Sequence, residues 1–416
     1  MKRAGIIVTV VFAVLALVAG FGGTTAALLV TQPAVSGSNV TVNFEVKDGD
    51  TGTSVAQRLQ QDGLIRNAMA FRLLAHFRHL DTGFEQGVYQ LSPGMTMDQI
   101  IVKLQQAHPD FLIAGVSEGL RVTQYPDGFG NLPRFSADDF LKIAKTGILT
   151  DGTKTWEKYW FVSQPQPNVA YALEGYLYPD HYAFDKSATA QDVVETMLKA
   201  FGEQLCPNPG GKPDAYIYDQ AQCKAHAATV DDKGTTVFQA LEQYYDKDDV
   251  KAIYKALTIA SITMREIPSI DDTADIQGIA SVYYNRWQHA LGNPKYPSPD
   301  IGTNMEADPT VQYAHTTDTP PKQGETWWPN LNDQNLKSVD TQNHYNTYVF
   351  PGLPPGPISA PLSVVFLATA HPVSPDGKLY YYFISGKCPP HKTYYATTLD
   401  EHNANIAKYL GPDVKC

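Results

Sequence analysis

Between Val250 and Ile267 the chain reads VKAIYKALTIASITMREI, and this 18-residue stretch has few conformations open to it. Val250, Ile253, Tyr254, Leu257, Ala260 and Met264 recur at the i, i+3, i+4, i+7 spacing of a helix buried along one face. Asp248 and Asp249 can cap its start. Pro268 stops it, because proline disfavours helical geometry in the residue before it and has no N–H to donate. The stretch carries one acidic residue, Glu266, two positions before that proline. Desolvation penalises the charged form of a carboxylate, so an acid at the end of a largely apolar helix is expected to resist ionisation. That is the profile of a general acid.

The chain has 416 residues, 43% hydrophobic and 18% charged, which is enough for more than one core and too apolar for a disordered protein. Its beginning is different. Lys2 and Arg3 precede a run from Ile6 to Val30 with no charged residue, long enough to span a bilayer as a helix. Basic residues on the short side predict an N-terminus that stays cytoplasmic and a remainder that is exported. A leader cleaved near Ala19 and Gly20 is the alternative, but the apolar run continues past that point and an anchor is the expectation. Cys206, Cys223, Cys388 and Cys416 agree with an oxidising compartment and are not in zinc or redox spacings. Proximity pairs Cys206 with Cys223 and Cys388 with Cys416, although four cysteines admit three connectivities. A formal charge of -11 argues against a nucleic-acid partner, whose phosphates need basic patches.

The pattern along the chain is that of an α+β protein. A cytoplasmic tail (1–5), the apolar segment (6–30) and a short linker (31–40) lead into a small module over 41–107. Val42 to Val46 alternates as a strand, Thr53 or Ser54 can cap a helix carrying Val55 and Leu59, and Gly63 ends it. Asn67 can cap a second helix, Val88 to Leu91 reads as the returning strand, and Thr96 starts a helix with Ile100, Ile101 and Leu104. A larger mixed α+β region fills 108–412, with a polar, cysteine-bearing insertion around 203–235. Within it Asp271 or Asp272 starts a second helix burying Ile276, Ile279, Tyr283 and Trp287. The chain ends with a strand from Leu379 to Ser385 and a helix from about Leu399 to Leu410.

Four strings are too particular for generic packing: LEGYLYPD (173–180), ASITMRE (260–266), ADPTVQY (307–313) and YNTYVFPGLPPGPI (345–358). In this order and spacing they resemble the YceG-like endolytic murein transglycosylases, over nearly the whole globular chain. The resemblance implies a LysM-like subdomain in the small module and a membrane-anchored, exported enzyme that needs no cofactor or metal. Its implied activity is to cut nascent peptidoglycan glycan strands internally, leaving 1,6-anhydro-N-acetylmuramic acid ends. Cell-wall synthases are possible partners of such an enzyme.

The resemblance puts the catalytic glutamate at Glu266. Many relatives carry a second glutamate two residues earlier, where this chain has Met264, so Glu266 stands alone. Substrate contacts are expected from Glu306, Asp308, Tyr313, Tyr345, Asn346 and Tyr348. Asp308 orients the glycan or caps the turn at Pro309; Glu306 stands where relatives often have glutamine. Glu174 reads as structural rather than catalytic, and Trp327 and Trp328, in a segment that looks inserted, either stack on sugars or pack the surface. His371, His391 and His402 lack metal-site spacing, and neither a G-x-S-x-G elbow nor a phosphate-binding glycine loop is present. A single acid that becomes a base suffices for the implied chemistry. The alternatives are a hydrolase pairing Glu266 with Glu306 or Asp308, which would release reducing ends, and a non-catalytic scaffold that binds the wall.

Overall fold

The computed structural model describes residues 33–416 apart from 36, 37, 39, 48, 78–83, 85, 106–110, 208–216, 299, 319, 332–335 and 415. The expected anchor over 6–30 lies outside the described residues, among which no helix is long and apolar enough to cross a membrane. The fold is mixed α+β and divides into two units. Of the described residues, the smaller comprises those up to Ala114 with Asn131–Pro133 and His181–Ser187, and the larger those of Gly115–Gly130, Arg134–Asp180 and Ala188–Cys416.

The smaller unit follows the local signals closely. Strand β1 (Val42–Val46) leads to α1 (Gly52–Gln61) and α2 (Ala68–Phe77), and β2 (Gly87–Leu91) returns antiparallel to β1, with Val42 opposite Leu91. After α3 (Met97–Gln105) come β3 (Phe111–Gly115) and, from later in the chain, β4 (His181–Asp185), completing a sheet of order β1-β2-β3-β4. Helix α1 starts earlier than expected. Its cap is Thr51, not Thr53 or Ser54, because Thr51 Oγ1 accepts from Ser54 N (3.2 Å) while Ser54 Oγ accepts from Thr51 N (2.9 Å), closing a capping box. Phe44, Val46, Val55, Leu59, Phe71, Tyr89, Leu91, Ile100 and Leu104 form its core.

In the larger unit a 3₁₀ turn (Val122–Phe129) precedes α4 (Ala137–Thr146), α5 (Thr155–Lys158), α6 (Ala190–Leu205), α7 (Gln220–Ala225) and α8 (Val237–Tyr244). The expected glutamate helix is α9 (Asp249–Glu266), capped by Asp248, and the second is α10 (Thr273–Ala290), capped by Asp272. Then follow α11 (Asp308–Asp318), α12 (Ser363–Ala370), the hairpin β5 (Tyr382–Ser385) and β6 (Thr393–Ala396), and α13 (Leu399–Tyr409) against that hairpin. Helix α9 is the hub, touching α8, α10, α11 and α12. It is therefore buried all round from Ala256 to Thr263 rather than along one face. The disulfides are Cys206–Cys223 and Cys388–Cys416, the pairing proximity favoured.

Candidate active site

The four strings, dispersed over 186 positions of sequence (173–358), are bonded to one another around the C-terminal half of α9. Glu174 is fully buried and accepts from Val122 N (3.0 Å) and from the Tyr313 hydroxyl on α11 (3.0 Å). Burial pushes its carboxyl up to about 7 against those two bonds and the nearby Arg121 charge, so it works as an internal tie between strings. Gly175 beside it has φ +83°, and a Cβ there would come within 2.7 Å of Pro357, so the glycine lets the proline-rich loop close onto α9. That loop is held by Ile358 N to Ser261 Oγ (3.0 Å) and Ser359 Oγ to Ser261 O (3.1 Å). Thr347 joins the remaining pair, its Oγ1 accepting from Ala307 N at 3.1 Å and lying 2.8 Å from Thr310 Oγ1.

Glu266 stands where this scaffold ends. Its half-buried carboxylate accepts, at Oε1, a hydrogen bond from the Tyr283 hydroxyl at 2.9 Å. Burial pushes Glu266 up from 4.5 to about 7; the Tyr283 bond opposes this, the negative charge of Asp308 adds to it, and Arg286 and Arg265 oppose it. Tyr283 is itself buried and held well above its usual range, first by burial and then by the glutamate's charge, so it keeps its proton and remains the donor. Arg286, one turn further along α10, is buried with Nε on Tyr381 O (2.7 Å) and Nη1 on Met305 O (2.7 Å), which ties α10 to the strand hairpin and to the segment before α11. Sequence reading placed Tyr283 in the core but missed its bond to Glu266; no local signal carries it, because the two residues are on different helices.

The other expected residues fall into two groups. Asp308 opens α11, is exposed, and accepts from the Tyr348 hydroxyl at 2.6 Å. Glu306 is partly exposed, 3.8 Å from Lys337 Nζ, and adopts a left-handed backbone (φ +49°) between buried Met305 and Ala307, which turns its side chain outward. Tyr348 and Glu306 thus gather with Asp308, whose charge reaches Glu266. By contrast Tyr313, Tyr345 and Asn346 are buried, with their polar atoms bonded inside the chain. The Tyr313 and Tyr345 rings pack with centroids 4.7 Å apart. Asn346 Nδ2 donates to Leu336 O and Val339 O, and Oδ1 accepts from Tyr348 N at 3.0 Å. Its hydrogen-bonding capacity goes into shaping the loop that carries Tyr348.

Trp327 and Trp328 both lie against arginines: Arg121 is 4.9 Å from the Trp327 ring and Arg265 is 4.2 Å from the Trp328 ring. His371 and His402 pack against Tyr244 and Tyr382, and His391 Nδ1 lies 3.1 Å from Gly386 O. Among the described residues no group of three or more His, Cys, Asp or Glu is placed to hold a metal.

A YceG-like family model matches residues 44–408. An endolytic murein transglycosylase of Bacillus subtilis is 25% identical over 383 residues, covering 91% of this chain and 88% of that protein. One from Streptococcus pneumoniae is 24% identical over 425 residues, covering 98% of this chain but 65% of its own longer sequence. A crystal structure of a YceG-like protein from Listeria monocytogenes is 26% identical and superposes with a TM-score of 0.48, over 88% of this chain and 99% of that one. With the match running through both units and all four strings, the chain belongs to the YceG-like family.

Proposed function

We propose that this protein is a peptidoglycan lytic transglycosylase, in line with its relatives named endolytic murein transglycosylase, with Glu266 as its acid and then its base. The observation that carries the reading is the Tyr283 to Glu266 hydrogen bond at the end of a buried helix. Because Tyr283 donates to Oε1, the proton of the neutral carboxyl belongs on Oε2, ready for transfer. It goes to the glycosidic oxygen of the β-1,4 bond between N-acetylmuramic acid and N-acetylglucosamine as the C1–O bond breaks. The muramoyl 6-oxygen then bonds to C1, and its proton returns to the Glu266 carboxylate. Tyr283 stabilises that carboxylate between the two steps without taking its proton. The product is a 1,6-anhydro end, and no water enters the balance.

Asp308, Tyr348 and Glu306 line the approach to Glu266, and Asn346, Tyr313 and Tyr345 support it from beneath. We place the apolar segment 6–30 in the cytoplasmic membrane, the small module as a LysM-like subdomain outside it, and the substrate among nascent strands near wall synthases. A hydrolase would need a second carboxylate to activate water; here Asp308 is bonded to a tyrosine and Glu306 faces a lysine, which favours the single-acid route. Mass spectrometry of purified glycan strands digested by the full chain tests this. Anhydro ends are expected, and chiefly reducing ends would sink the single-acid mechanism.

A further inference from the structure

We propose that the cavity beside Trp327 is a hexosamine-binding subsite that extends the glycan cleft past Glu266; it rests on the transglycosylase reading above. The cavity measures about 400 Å³, within the size range of small-ligand pockets, and Trp327, Leu120, Gln124, Asp127, Gly115 and Gly128 lie around it. An N-acetylated hexose presents one apolar C–H face and a rim of hydroxyl and amide groups. An indole face beside a carboxamide and a carboxylate is complementary to both.

The site is built rather than incidental. Trp327 is backed by Arg121, a fully buried guanidinium whose Nη1 donates to Thr316 Oγ1 at 2.6 Å. The Thr316 hydroxyl also donates to Trp327 O at 3.0 Å, so the ring and its backing are fastened to the same turn of α11. Gln124 Oε1 accepts from Arg121 N at 3.2 Å, which orients that amide. Across the cavity, a Cβ on Gly128 would fall 2.1 Å from Gly115 O, so this wall closes only with glycine.

Its connection to the reacting centre runs through Arg265, the neighbour of Glu266. Arg265 Nη1 donates to Gly119 O at 3.5 Å, and its guanidinium lies over Trp328 at 4.2 Å. Gly119 precedes Leu120 and Trp328 follows Trp327, so both walls of the cavity are tied to the residue beside the acid. On this proposal a strand with one ring bond at Glu266 sets a further sugar against Trp327.

The test compares the full chain with W327A, W327F and D127A on peptide-free glycan strands of two lengths: the shortest that the wild type cleaves, and long strands. For W327A we expect KM on long strands to rise about 3- to 10-fold, the range of one lost aromatic contact, with the shortest strand unaffected. W327F should retain most of the binding, and D127A, which leaves Arg121 and Trp327 in place, should give a smaller rise confined to long strands. Equal losses on both lengths, or none on either, overturn the subsite. Calorimetric titration of long strands into the same variants separates the two readings: a wild type that binds but cuts nothing defeats the transglycosylase assignment, while loss of binding in W327A still reports the subsite.

Discussion

The two units reach stability by different means. The smaller has a core of aliphatic and aromatic side chains, whereas every buried polar or charged side chain among the described residues lies in the larger one. Arg121, Glu174, Ser261, Asn285, Arg286, Asn346 and Thr347 are inside it, each tied to a specific partner. Apolar burial is non-directional and tolerates volume-conserving change. A buried hydrogen-bonded network is not tolerant, since removing one member leaves the others unpaired in low dielectric. The larger unit therefore holds the scaffold around Glu266 in place with polar ties that a merely stable fold would not require.

The strongest challenge to this contrast is Glu266→Gln, which keeps shape but removes the transferable proton. We expect turnover to fall about 10²- to 10⁴-fold, with the unfolding transition unchanged. Wild-type activity in that variant would refute the catalytic assignment. Next in size is a matched pair. Leu59→Ala should cost the smaller unit about 2–5 kcal/mol through a core cavity. Asn346→Ala should cost the larger unit about 1–3 kcal/mol by stranding the Leu336 and Val339 carbonyls. Hydrogen exchange resolved by segment reads both, and only Asn346→Ala should also reduce turnover, by releasing Tyr348.

The smallest effects are the most diagnostic. Since Glu266 must be protonated to act and sits at about 7, kcat/KM should fall as pH rises through about 7. Asp308→Asn removes a negative charge that holds the proton on, so this alkaline limb should move to lower pH. Tyr283→Phe removes a bond that favours the ionised form, so the limb should move to higher pH. Arg286 and Arg265 are unchanged in both variants, and the apolar α12 contacts Leu362, Val364 and Val365 bring no titrating group against α9. Shifts of the same sign in the two variants would show that electrostatics at Glu266 is not what these residues control. The pH dependence of stability has its own sign. With folded values near 7 against an ordinary 4.5, Glu174 and Glu266 bind protons more tightly when folded, so their contribution to stability is full below about 4.5 and declines as pH rises through 7.

What could be read from the chain alone was whatever local physics encodes. The 3.6-residue periodicity and Pro268 give α9 and its terminus, short polar side chains give the caps at Asp248, Asp272, Asn67 and Thr96, and chain proximity gives both disulfides. Even the error at α1 is local, a capping box that closes two residues before the nearest residue expected to cap. That Glu266 ends a largely apolar helix was legible for the same reason. Which tyrosine meets it was not, and neither was the burial of Tyr313, Tyr345 and Asn346. A motif residue's spacing does not tell whether its polar atoms face a ligand or another strand of the same chain. That depends on how α9, α10, α11 and the proline-rich loop pack, and their contacts join residues far apart in the chain, 139 positions from Glu174 to Tyr313 and 195 from Arg121 to Thr316. Side-chain direction at such distances follows from mutual exclusion in a dense interior, which no window of sequence contains.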